Sequence, residues 1–192
     1  NGDLLFYTDG MTVYDKNHGI MPNGTGLAGN SSSTQSAIIV GKPMSTDYYI
    51  FTISGTTGGG AGLHFSEVDM TLNGGLGDVN AIKNVMLFPY GCEKVTAVKH
   101  QNGTDFWIVS RLENSNEYHS YLLSSSGVNV TPVITNIGPV YNSTVGYLKC
   151  SPNGAKIAAG NADWSGVDLF DFNNATGVLS NLMDLSGSGC QA

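Results

Sequence analysis

The stretch at residues 95–110, VTAVKHQNGTDFWIVS, decides the fold, because it holds two apolar strands on either side of an Asn-Gly turn. Asn-Gly between two apolar runs is the strongest short-range signal for a β-hairpin. The pattern returns as GYLKCSPNGAKIA at residues 146–158, where Asn153-Gly154 follows Asn102-Gly103 by 51 residues. The chain therefore contains a repeat built from antiparallel strands.

Three repeat units can be aligned, each with a first strand, a polar turn, a second apolar strand and a third strand. Each ends near a glycine, at Gly75, Gly127 and Gly177. The predicted units cover residues 36–78, 94–128 and 145–180, with a half unit at 1–20 and a tail at 181–192. No stretch of similar length has apolar residues at helical spacing, so the sequence predicts an all-β protein.

A period of about 50 residues with three or four strands per unit is typical of a β-propeller blade. We therefore expect a single β-propeller-like domain over residues 1–192, with about three and a half blades of antiparallel meanders. Closed propellers hold about 4 to 8 blades, so this domain is expected to be part of a larger propeller or to be completed by another chain. Open strand edges favour a homo-oligomer or a fibre formed by strand addition.

Composition agrees with a turn-rich β protein and narrows the partners. The chain has 26 Gly, and only 12% of its residues are charged. With 8 Lys and Arg against 15 Asp and Glu, the net charge is -7, which argues against nucleic acid as a partner. No apolar run is long enough to predict a membrane span.

Several segments together resemble a known family. The run NGDLLFYTDGMTVYDKNHGIMPNGTGLAGNSSSTQSAIIV, followed by YYIFTIS, VDMTLNGGLGDV, EKVTAVKHQNGTDFWIVS, GYLKCSPNGAKIA and LFDFNNATG, is similar to secreted proteins of gliding-type Bacteroidota. In that family a propeller-like region, of the YVTN or WD40-like kind, precedes adhesive repeats and a C-terminal domain for type IX secretion. The resemblance implies export, a cell-surface location and a role in adhesion; it supplies no catalytic residues.

Catalytic motifs are missing from the sequence. The four histidines, at positions 18, 64, 100 and 119, stand in no HExxH pattern, and no GxSxG elbow occurs. In LHFSEVDM, strand alternation places His64 with Ser66 on one face and Glu67 with Asp69 on the other, so we expect solvated strand histidines and no acid-base pair. The glycine-rich GTTGGGAG at residues 55–62 lacks the Lys-Ser/Thr ending of a phosphate-binding loop. The interpretation is a non-enzymatic protein without a cofactor.

Three kinds of accessory site remain as candidates. Asp168, Asp171 and Asn173, with Asn174, offer oxygen ligands for calcium, although their spacing departs from the usual calcium loop and also suits turns. Cys92, Cys150 and Cys190 allow three single disulfides, and an exported protein tolerates one; unpaired core thiols are the alternative.

Glycans are the third candidate. Trp164, in the loop GNADWSGVD, is a candidate for stacking on a sugar, with a structural role as the alternative. Six Asn-x-Ser/Thr sequons mark possible glycosylation sites of low specificity: Asn23, Asn30, Asn102, Asn129, Asn142 and Asn174.

Three functional hypotheses follow. The first is a non-enzymatic exported surface or matrix protein that acts in adhesion or assembly. The second is a self-assembling subunit of an extracellular fibre or ring, completed by strand addition. The third is an enzyme of the propeller lactonase or hydrolase kind, which would need acidic or histidine side chains from several blades to converge on the axis.

Overall fold

The structure is a computed structural model that describes residues 2–55, 62–162 and 166–185. Within these ranges the chain forms 17 strands and one short 3-10 turn at Asn73–Gly75. The prediction of an all-β protein is confirmed. The strands form four antiparallel sheets, each built from consecutive segments of the chain.

The first sheet contains β1 (Phe6–Thr8), β2 (Thr12–Asp15) and β3 (Ile20–Thr25). The second contains β4 (Ala37–Gly41), β5 (Tyr48–Ser54), β6 (Gly62–Asp69), β7 (Asp78–Val79) and β8 (Val85–Phe88). The third contains β9 (Gly91–Lys99), β10 (Phe106–Leu112), β11 (Glu117–Ser124), β12 (Gly127–Val128) and β13 (Val133–Asn136). The fourth contains β14 (Leu148–Cys150), β15 (Lys156–Asn161), β16 (Gly166–Asn173) and β17 (Val178–Asp184).

The last three sheets share one meander. Their strands follow one another in the orders β4-β5-β6-β7, β9-β10-β11-β12 and β14-β15-β16-β17. Two further strands extend this pattern, since β8 pairs with β6 and β13 pairs with β11. The first sheet has the order β1-β2-β3, and among the described residues β1 pairs with β2 alone.

The first turn of each repeat unit has the same backbone hydrogen bonds. In the third sheet the His100 amide donates to the Asp105 carbonyl and the Gly103 amide to the His100 carbonyl, both at 2.9 Å. In the fourth sheet the Ser151 amide donates to the Lys156 carbonyl, and the Gly154 amide donates to the Ser151 carbonyl. Gly103 and Gly154 have φ of 79° and 68°, which only glycine and a few other residues tolerate well. This is why the Asn-Gly signal recurs.

The sheets pack face to face in sequence order, and three apolar cores lie between them. Phe6, Val13 and Met21 of the first sheet pack on Ile50 and Val68 of the second. The opposite face of the second sheet buries Tyr49, Phe51, Ile53 and Phe65 against the third sheet, and the third buries Trp107, Val109 and Tyr118 against Ile157, Phe170 and Phe172 of the fourth. The second and third sheets are therefore enclosed on both faces.

Polar side chains dock the first sheet onto the outer edge of the second. The Asn23 side chain donates to the Val79 carbonyl at 2.8 Å, and the Lys83 ammonium donates to the carbonyls of Asn23 and Thr25. The Asn84 side chain donates to the Gly26 carbonyl at 2.8 Å. These contacts hold β3 beside β7 and leave β1 at the far side of the sheet.

Candidate functional site

A polar hub joins the second, third and fourth sheets where their first strands begin. The Gln35 side-chain oxygen, just before β4, accepts from the Val95 amide of β9 at 3.3 Å and from the Leu148 amide of β14 at 2.7 Å. The Thr34 amide donates to the Glu93 carboxylate at 3.0 Å, and the Gly146 amide donates to the Thr34 hydroxyl. One short segment therefore ties three sheets together.

Lys94 is the cation at the centre of this hub and is fully buried. Its ammonium donates to the Gly160 carbonyl at 2.6 Å and to the Asn161 side-chain oxygen at 3.3 Å. Because a buried ammonium without partners would cost several kcal/mol, these contacts from the fourth sheet are what make its position in β9 tolerable.

Arg111 of β10 lies beside Lys94 and is also fully buried. It donates to the Ser115 carbonyl at 2.7 Å and 3.1 Å, and to the Asn161 side-chain oxygen at 3.4 Å. Its guanidinium carbon lies 4.8 Å from the centroid of the Tyr141 ring, a cation-π contact. Asn161 therefore receives hydrogen bonds from both cations.

Asp168 of β16 completes the network. It accepts from the Asn161 side-chain amide at 3.0 Å and is hydrogen-bonded by Tyr141. Burial raises the pKa of Asp168, although the hydrogen bonds from Tyr141 and Asn161 oppose that effect. Burial, together with the neighbouring Asp168, raises the pKa of Tyr141 to about 12, so this hydroxyl keeps its proton at neutral pH.

The hub is built for cohesion between sheets. Lys94, Arg111, Asn161 and Asp168 are each at most 2% exposed, so their polar groups face one another and solvent hardly reaches them. In the described parts of the chain, no three His, Cys, Asp or Glu side chains are grouped so that they could hold a metal ion. The arrangement satisfies buried polar groups through shared hydrogen bonds to the Asn161 side chain.

Sequence reasoning missed this hub, although a signal was present. Strand alternation places Lys94 on the face of Val98 and Arg111 on the face of Val109, and both valines are core residues. A charge on the buried face of a strand predicts a buried partner. The partner of Lys94 is Asn161, which lies 67 residues away along the chain, so no local pattern can reveal the pair.

The calcium candidates are not brought together. Asp168 is buried in the hub, whereas Asp171 forms an ion pair with Lys156 on the other face of β16 and accepts from Asn181. The Asn173 side chain accepts from the Ala175 amide, which makes it a turn residue. The Asn174 carbonyl accepts from the Trp107 indole at 3.0 Å. Strand alternation separates Asp168 from Asp171.

A disulfide between Cys92 and Cys150 is not formed, since both thiols are free. The Cys150 thiol contacts the carbonyl of Ala97, which lies five residues beyond Cys92 on the same strand. At about 3.3 Å per residue this places the two cysteines roughly 16 Å apart, too far for a disulfide. Burial raises the pKa of the Cys92 thiol. Cys190 and Trp164 lie outside the described residues.

The sequon asparagines differ in how their side-chain amides are used. The Asn23 amide donates to Val79 and the Asn102 amide to Asp105, so both are occupied. The Asn30 and Asn129 side-chain oxygens accept hydrogen bonds from the turns that follow them. Two of the six sequon asparagines, Asn30 and Asn174, are partly buried. The other four are exposed: Asn23, Asn102, Asn129 and Asn142.

The histidines lie apart from one another and from the hub. His64 and His119 are 7% and 8% exposed, so the expectation that the histidines are solvated is wrong for these two. Burial lowers the pKa of His64, and its Nδ1 atom has no hydrogen-bond partner. His64 and Ser66 do share one face of β6, whereas Glu67 points to the other and pairs with Lys42 at 2.8 Å.

The first sheet has an apolar rim on its unpacked side. Leu4, Leu5, Tyr7 and Ile20 are 37–54% exposed, and the Tyr7 and Tyr14 rings stack at 5.0 Å. Phe6 and Val13, which alternate with Tyr7 and Tyr14 along β1 and β2, face the second sheet. The rim therefore resembles the buried faces of the other sheets in composition but has no neighbour among the described residues.

Comparison with known proteins adds no relative. The chain matches no protein-family model, no curated protein and no solved structure. Nor do the described residues contain a helix with the length and apolarity needed to cross a membrane.

Proposed function

We propose that this chain is a non-enzymatic, exported surface or matrix protein, whose four sheets form an open propeller-like scaffold for adhesion or assembly. The observation that carries the proposal is the contrast between the first sheet and the other three. Those three have a first strand nearest the hub, whereas the described residues give the first sheet no such strand and leave an apolar rim exposed on it. A sheet edge that no described strand covers, beside an apolar surface, favours pairing with a strand of another chain.

The packing order supports a ring rather than a sandwich. Each sheet packs on the next in sequence, as blades do, and the Gln35 side chain reaches across to the fourth sheet. Contact between sheets that are not neighbours in sequence requires strong curvature, which suits a small ring. The hydrolase alternative has less support, because Lys94, Arg111 and Asp168 are buried and each is hydrogen-bonded to the Asn161 side chain.

Export and surface location rest on the sequence resemblance. A role in assembly is favoured by the rim formed by Leu4, Leu5, Tyr7 and Ile20, since such apolar surface is usually covered in proteins. A second copy of the chain is the covering partner that the second hypothesis names.

The test is the native mass and particle shape of the chain, by light scattering with negative-stain imaging. We expect species heavier than 20.1 kDa that form rings or fibres as concentration rises. The double variant Leu5→Lys, Tyr7→Lys places charges on the rim and is expected to stay monomeric. Ile134→Lys, a matched change at an exposed position of β13, should assemble like the parent. A parent chain that is monomeric at every concentration contradicts assembly.

A further inference from the structure

A pocket of about 530 Å³ opens between the ends of the third and fourth sheets. It lies between the two equivalent Asn-Gly turns, at residues 100–105 and 151–155, and Asn174 closes one side. Pockets that bind small molecules in proteins typically measure about 300–1,000 Å³, so this one has the volume of a monosaccharide or disaccharide site.

The lining of the pocket is rich in hydrogen-bond donors and contains no carboxylate. Lys99, His100, Gln101, Asn153 and Asn174 contribute, together with the half-buried ring of Phe106. This is unusual in a chain where 15 acidic residues outnumber 8 basic ones. A lysine and a histidine without an acidic neighbour in the lining favour an anionic group.

His100 is oriented to donate. Its Nδ1 atom accepts a hydrogen bond from the backbone N–H of Asn102 at 3.0 Å, so in the neutral ring the proton is on Nε2. The ring also lies against Trp107, with 5.8 Å between the centroids. This residue can therefore offer its Nε2–H to a ligand.

Both walls of the pocket are held in place before any ligand binds. The Gln101 amide donates to the Asn174 carbonyl at 3.1 Å, which joins the turn of the third sheet to the fourth sheet. The Asn102 side-chain oxygen accepts hydrogen bonds from the backbone amides of Thr104 and Asp105. The Asn153 side-chain oxygen accepts one from the backbone amide of Ala155. Rigid walls reduce the entropy lost on binding.

We propose that this pocket binds an anionic saccharide, with Lys99 and His100 on the acidic group. The side-chain amides of Gln101 and Asn153 suit sugar hydroxyls. The acidic group is a carboxylate, as in a uronic acid, or a sulfate or phosphate ester, since the same donors serve each. This site goes beyond the proposed scaffold function, because binding is measured whatever the oligomeric state.

The test is isothermal titration calorimetry of the intact chain with tetragalacturonate, with glucosamine 6-sulfate and with neutral maltotetraose. We expect at least one anionic probe to bind and the neutral one not to bind. The anionic probe that binds identifies the acidic group, and its affinity should fall as salt is added.

Variants locate the binding in this pocket. Lys99→Gln and His100→Gln should each weaken binding of the anionic probe about tenfold, and the double variant should abolish it. Lys16→Gln removes an exposed lysine of the first sheet and should leave binding unchanged. Circular dichroism confirms that each variant is folded. No binding of either anionic probe, equal binding of maltotetraose, or full binding by the folded double variant overturns the proposal.

Discussion

The second and first sheets of this protein share a strand meander but differ in their surroundings. The second sheet has a core on each face, with Ile50 and Val68 turned to the first sheet and Phe51 and Phe65 turned to the third. The first sheet has a core on one face only, where Phe6 and Val13 lie, and exposes Tyr7 and Ile20 on the other. The same local pattern therefore yields a core element in one place and a candidate docking surface in the other.

The lesson is that apolar content alone does not determine burial. β1 and β5 are both short, aromatic strands, but β5 is paired on both edges and packed on both faces. β1 has one paired edge among the described residues. The number of neighbours, which the fold supplies, decides how much each side chain contributes to stability.

The largest expected effect breaks the enclosed core. Phe51→Ala removes a fully buried ring between two sheets and should lower the free energy of unfolding by about 3–5 kcal/mol. Phe6→Ala is the matched change in the first sheet, where the structure can relax toward solvent, and should cost less. Chemical denaturation measures both; equal losses would contradict the comparison.

The second prediction concerns the buried hydrogen bonds that the Gln35 side chain accepts in the hub. Gln35→Leu keeps much of the side-chain volume but leaves the Val95 and Leu148 amides without their acceptor. Each unsatisfied buried amide costs about 1–3 kcal/mol, so for two amides we expect a loss of roughly 2–6 kcal/mol in urea unfolding. Gln101→Leu, at an exposed turn, serves as the control and should change stability by about 0.5 kcal/mol or less.

Two glycines with the same backbone conformation sharpen the contrast between enclosed and open positions. Gly177 and Gly103 have φ of 78° and 79°, but a Cβ at Gly177 would lie 2.9 Å from the Trp107 ring, whereas Gly103 faces open space. Gly103→Ala should cost about 1 kcal/mol from backbone strain, and Gly177→Ala about 2–3 kcal/mol. Thermal denaturation measures both variants. Similar decreases in the melting temperature would show that the Trp107 ring moves aside at little cost and would contradict the expected difference.

The smallest expected effect is a dependence of stability on pH. Burial lowers the pKa of His64 in the folded chain, so below the unfolded pKa of about 6.5 the unfolded chain binds a proton that the folded chain does not. Stability from this residue is present above that pH and falls as the pH drops through it. Urea midpoints at neutral and mildly acidic pH measure the effect.

A pair of variants assigns that effect to the enclosed sheet. In His64→Leu the acid-dependent loss should shrink. In His18→Leu, which changes an exposed histidine of the first sheet, His64 remains and the loss should persist. An unchanged acid response in His64→Leu would assign the loss to other groups.

Much of the local structure was readable from the residues. Asn102-Gly103 and Asn153-Gly154 predicted two hairpins, and both turns have the expected hydrogen bonds. The alternation in LHFSEVDM correctly separated His64 from Glu67. Hairpins and alternation depend on neighbouring residues, so a short window of sequence contains the information.

The candidate sites were less predictable, because they depend on side-chain direction and on contacts between sheets. Cys92 comes just before the predicted first strand of one unit and Cys150 at the end of the equivalent strand in the next, and the Cys150 thiol lies at Ala97, away from Cys92. Asp168 and Asp171 are close in sequence but lie on opposite faces of one strand. The pocket between the two Asn-Gly turns was not predicted either, since it exists only because the third and fourth sheets pack against each other.

The sequence by itself determined the all-β class, the repeat of antiparallel meanders and the turns that join their strands, because those features follow from residue spacing and turn chemistry. Tertiary structure alone decided which faces are enclosed, how Gln35, Lys94 and Asn161 meet, and where the pocket opens. Those features depend on sheet packing over separations of about 60 residues and more, and hydrophobic burial is not directional enough to specify them from local pattern.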